Sequence, residues 1–150
     1  MNAVRRTILQ IEFLLTSFGV AVFIFFLFTA EPLLRWTAGP EFVAAAPLLI
    51  VQTVAVTMTL TGTALRSALL AMGRQREVLA IVLVATTAFH VTALLLIPLV
   101  GAMGANIAHV LLGTLWAVGL TVAFRRALRR NGKATAPSSS MADMEKDTDL

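Results

Sequence analysis

The chain has 150 residues, no cysteine, a net charge of +4, 58% apolar residues and only 13% charged ones. An ordinary soluble domain carries about 25% charged residues, so there is too little polar surface here to wrap a core in water, and a soluble globular enzyme is the wrong class. With no cysteine, disulfides, thiolate metal sites and cysteine nucleophiles are excluded outright.

Four stretches satisfy the requirement of about 20 mostly apolar residues for a membrane-spanning helix. The first covers 7–30, with an uncharged core from Phe13 to Thr29. It follows a six-residue N-terminus, and it is long for a signal peptide and lacks an A-x-A-like cleavage site. The second starts behind Gly39-Pro40, with Glu41 in its first turn, and covers 46–72. Pro47 is expected about two turns beyond the Gly39-Pro40 start of that helix, inside its pattern, where a proline kinks a helix. Gly73 marks the turn to the third span, 78–99, and Pro98, Gly101 and Gly104 mark a tight reversal into the fourth, 105–124. Residues 125–150 form a tail, basic to Lys133 and, from Asn131 onward, polar, rich in Ser and Asp, and expected to be disordered. In hydrocarbon each backbone polar group must be paired within its own element, so these spans are helices. The expected fold is an all-α integral membrane bundle of four transmembrane helices.

Orientation follows from the basic residues. With the N-terminus in the cytoplasm, eleven of the twelve Lys and Arg lie inside and Arg35 alone lies outside. That asymmetry predicts cytoplasmic N and C termini. The basic run 125–133 is thus a topology signal that also suits anionic lipid headgroups, and nucleic acid is not an expected partner.

Polar residues inside a span are costly and mark candidate sites. At about 100° per residue, Gln52, Thr59, Thr63 and Arg66 share one face of the second span. Two readings stand: a hydrated groove with Arg66 as a phosphate-binding cation, or threonines bonded to their own backbone with Arg66 reaching to the interface. Glu12, at the edge of the first span, is a candidate coupling carboxylate, or an interfacial group paired with a nearby arginine. His90 and His109 are candidates for proton relay or for hydrogen bonds between helices, the second being favoured. His109 shares its face with Asn106, Gly113 and Trp116. Gly104 and Ala108 form a small-xxx-small pair that suits close helix contact. No glycine-rich phosphate loop, paired carboxylates or histidine–carboxylate metal pattern is present, so neither catalysis nor a metal or other cofactor is expected.

Three segments, LLRWTAGPEFVAAAPLLIVQ (33–52), ALLAMGRQREVLAIV (68–82) and LIPLVGAMGANIA (96–108), occur in the order found in one family. They resemble helix junctions of the polysaccharide biosynthesis flippases, which export O-antigen and other lipid-linked oligosaccharides, in the multidrug/oligosaccharidyl-lipid/polysaccharide exporter superfamily. The resemblance covers about 33–125, with Asn106 where a second alanine is usual, and corresponds to the C-terminal part of the second lobe. It implies a multi-pass protein of the bacterial inner membrane. It also implies a partial flippase that moves cell-surface polysaccharide precursors, with a lipid-linked saccharide as ligand and either the remaining transporter helices or further copies of the chain as partners. Two other functions fit four spans: a small multidrug-type exporter working as a homodimer, and a non-transporting subunit packed on a larger membrane complex.

Overall fold

The computed structural model describes residues 2–134, with side chains over 5–130. Five α-helices make four spans: α1 (Asn2–Thr37), α2 (Ala46–Leu60), α3 (Thr63–Ala71), α4 (Gln75–Val100) and α5 (Ala102–Ala134). No strand occurs among the described residues. The second span is α2 and α3 together, led in by a 3-10 turn at Pro40–Ala45.

Three local expectations change. Pro47 lies in the first turn of α2, where its missing N–H was unpaired in any case, so it starts a helix rather than kinking one. The second helix, expected unbroken over 46–72, comes apart at Thr61–Gly62. At the other reversal Gly101 alone separates α4 from α5, with Pro98 inside the last turn of α4 and Gly104 inside α5. The basic segment after Phe124 continues α5 to Ala134, three residues past Asn131, the expected start of the disordered tail. The rest of that tail lies outside the described residues.

The spans lie side by side in the order α1, α2, α5, α4, with α3 packing on α1, α4 and α5. Where α4 meets α5 the backbones nearly touch. A Cβ at Gly104 would lie 2.6 Å from the Leu96 carbonyl carbon, and Ala108 is fully buried one turn on. All four spans join in one apolar cluster at the end that carries the start of α1 and the later turns of α5. Leu65, Leu69, Val78, Leu120 and Phe124 are its centre, with Ile8 packed against it.

The flanks are apolar and uncovered. On α1, Phe13 and Phe28 are each 75% exposed, and on α4, Leu94 is 75% and Leu99 77% exposed. Apolar faces this long are incompatible with water and match lipid. The chain is a multi-pass α-helical membrane protein.

Candidate functional site at the break in the second span

The break has a simple cause in the backbone. Gly62 adopts φ 104°, ψ −10°, in the left-handed region that glycine enters without a Cβ penalty, and Thr61 before it is extended. The α2 ladder therefore stops at the bond from Thr61 N–H to Thr57 O (3.0 Å), and α3 starts with the bond from Arg66 N–H to Gly62 O (2.8 Å). Between them the N–H groups of residues 62–65 have no partner in either helical ladder, Gly62 at the break first among them. In an apolar surrounding an unpaired N–H costs several kcal/mol, so it must find a partner from elsewhere in the fold.

That partner is Glu12 of α1, whose Oε1 accepts the Gly62 N–H. The contact is reinforced one turn along α1, where the Thr16 and Thr61 hydroxyls meet at 3.2 Å and Thr61 Oγ1 also donates to Thr57 O (3.0 Å). On the opposite side of Gly62 lies Trp116 of α5. A Cβ on Gly62 would be 3.5 Å from the Trp116 indole nitrogen and 3.1 Å from Leu120. Two buried polar atoms near the break, Glu12 Oε2 and Trp116 Nε1, have no hydrogen-bond partner among the described residues. Arg66, one turn into α3, holds its guanidinium 6.0 Å from the centre of the Trp116 ring and is otherwise exposed. This is the outer limit of a cation–π contact.

The half of the polar stripe that carries Gln52 and Thr59 packs on the matching stripe of α5. Asn106 Nδ2 donates to Leu48 O (2.7 Å), Gln52 meets His109 Nδ1 at 3.0 Å, and a Cβ at Gly113 would lie 2.7 Å from Met58 and 3.3 Å from Thr59 N. Thr59 Oγ1 donates to Ala55 O (2.9 Å) and Thr63 Oγ1 to Thr59 O (3.4 Å), the local pairing that quiets a hydroxyl in a membrane helix. Of the four stripe residues, Arg66 and Thr63 are exposed, while Gln52 and Thr59 are half-buried.

The other polar candidates separate. Glu12 is held by a backbone N–H rather than by an arginine; the ion pair among the described residues is Arg74 with Glu77. His109 bridges helices as expected. His90 does not: it is exposed, donates through Nδ1 to Thr86 O one turn back (2.8 Å) and stands edge-on to Phe89. No group of three His, Asp or Glu side chains able to hold a metal occurs among the described residues. Gln52 also edges an apolar groove of about 300 Å³ between α1 and α2, lined with Phe18, Val22, Phe26 and Leu60.

The fold and site together define a multi-pass membrane protein with a broken span latched by a carboxylate. No protein-family model, curated protein or solved structure matches the chain.

Proposed function

We propose that the chain is part of a flippase for lipid-linked saccharides in the bacterial inner membrane, exporting precursors of cell-surface polysaccharide, with both termini cytoplasmic. The observation that carries this reading is the interrupted second span with Glu12 at the break and Arg66 one turn beyond it. Discontinuous spans are how membrane transporters place exposed backbone and charge at a substrate path. The three junction segments that resemble polysaccharide flippases supply the substrate class.

The chemistry of the cargo suits these parts. A lipid-linked sugar diphosphate has a strongly anionic head and a greasy tail. Arg66 is exposed, and its planar fork can hold two phosphate oxygens at once. The apolar groove between α1 and α2 suits an isoprenoid chain. Gly62 is the point about which α3, carrying Arg66, can swing against α2. Glu12 latches that hinge through its bond to the Gly62 N–H. The side-by-side spans form one wall of a path, so the facing wall comes from further transporter helices or from other copies of the chain.

The test is polymer export from cells carrying the full transporter. Arg66→Ala is expected to reduce export strongly at unchanged membrane abundance, and Arg66→Lys to restore only part of it. Near-parental export from Arg66→Ala overturns the reading.

A further inference from the structure

A second basic feature lies apart from Arg66, at the end of the molecule where α1 begins and α5 leaves its apolar run. Arg5 of α1 and Arg125 and Arg129 of α5 line one cleft of about 500 Å³, with Leu128 as its apolar wall. These arginines come from opposite ends of the chain, yet the antiparallel spans bring them together. No carboxylate lines the cleft among the described residues. A neighbouring cleft provides the contrast: there Arg74 is already paired with Glu77, beside Arg126 and Arg130. Three guanidiniums with no counter-charge among the described residues repel one another, and an anion between them relieves that repulsion.

The position selects the kind of anion. On α5, Arg125 directly follows buried Phe124, the last residue of the apolar stretch, so the cleft stands at headgroup level. Below Arg5 the surface of α1 continues as a depression lined by Arg6 and Gln10 and, for its apolar part, by Leu9, Phe13 and Leu14. Leu9 and Phe13 follow Arg5 at steps of four residues, so they lie under it on one helix face. Phe13 is 75% exposed there. Charge at the headgroup level and an apolar track beneath it match the two halves of an anionic lipid.

We infer that Arg5, Arg125 and Arg129 form a binding site for the phosphodiester of an anionic glycerophospholipid, with an acyl chain lying along Leu9 and Phe13. Arginine suits the role because it offers several N–H groups in one plane to phosphate oxygens. The site shares no residue with the hinge and does not depend on the transport reading.

Native mass spectrometry of the purified chain in mild detergent tests it, with phosphatidylglycerol and phosphatidylcholine of identical acyl chains as probes. The expected result is one retained phosphatidylglycerol and no comparable retention of phosphatidylcholine. Replacing both Arg125 and Arg129 by Gln is expected to weaken retention about tenfold or more, since each interfacial arginine contributes substantially to anionic lipid binding. Replacing Arg126 and Arg130 by Gln, on the neighbouring cleft, is expected to have a much smaller effect. Equal losses in the two double variants, or equal retention of both lipids, overturn the proposal in favour of diffuse charge attraction. A third arm adds millimolar inorganic phosphate. Lipid that stays bound supports a lipid site, whereas displacement assigns the cleft to free phosphate and overturns it.

Discussion

Glu12 and Gly62, fifty positions apart, meet as carboxylate and backbone N–H where the second span comes apart. The relationship is reciprocal in its physics. The break exposes a donor that lipid cannot satisfy, and the carboxylate, costly in a membrane, gains a fixed donor. Removing either member leaves the other stranded.

Glu12→Ala strands the Gly62 N–H. The expected loss is about 1–3 kcal/mol of stability, the usual consequence of an unsatisfied buried donor. Glu12→Gln keeps an acceptor oxygen and is expected to remain within about 1 kcal/mol of the parent. Detergent-induced unfolding followed by circular dichroism measures both. Equal stability of the alanine variant and the parent would show that the N–H has another partner.

Gly62→Ala forces a side chain into the left-handed region and places its Cβ 3.1 Å from Leu120. The backbone strain alone is expected to cost about 1–3 kcal/mol. The variant is expected either to unfold earlier in the same assay or to straighten the second span, which spin-label distances between α2 and α3 would detect. A variant with parental stability and parental distances would contradict the assigned role of the glycine.

Gln52 and His109 are expected to be coupled. A double-mutant cycle with Gln52→Leu and His109→Leu should give about 0.6 kcal/mol of interaction energy, and at most about 1.7, the range of hydrogen bonds between membrane helices. Additive losses would mean that the two side chains act separately, and that the α2–α5 seam is held by packing at Gly113.

How much of this was legible in the sequence depends on what each feature obeys. The spans follow from hydropathy and length, which are local, and all four were readable. The break was not, because threonine and glycine both occur inside membrane helices, and what stabilises the break is a carboxylate on another helix. The angular clustering of Gln52, Thr59, Thr63 and Arg66 was readable, yet a polar face states only that a helix avoids lipid there. That Asn106, His109 and Gly113 of α5 cover its Gln52 and Thr59 part could not be read from the second span alone. The reading of Glu12 as paired with a nearby arginine gives way to the Gly62 N–H: no arginine lies three or four residues from Glu12 on α1, the spacing that would align the two side chains.

The chain reconstituted by itself is not expected to move headgroups across a bilayer. Its described spans lie side by side in the order α1, α2, α5, α4, which gives one wall of a path, and α5 covers the Gln52 part of the polar face. Fluorescent headgroup accessibility in proteoliposomes should match empty vesicles. Saturable translocation by a monomer would require a second packing of the same helices.

The most direct measurement of the central claim is photolabelling of the chain in native membranes by a lipid-linked saccharide diphosphate carrying a photoreactive group on its tail. The expected result is labelling that unlabelled lipid-linked saccharide suppresses, that bare polyprenol does not, and that Arg66→Ala weakens. Labelling that bare polyprenol suppresses equally well, with no effect of Arg66→Ala, would contradict the assignment of the chain to saccharide export.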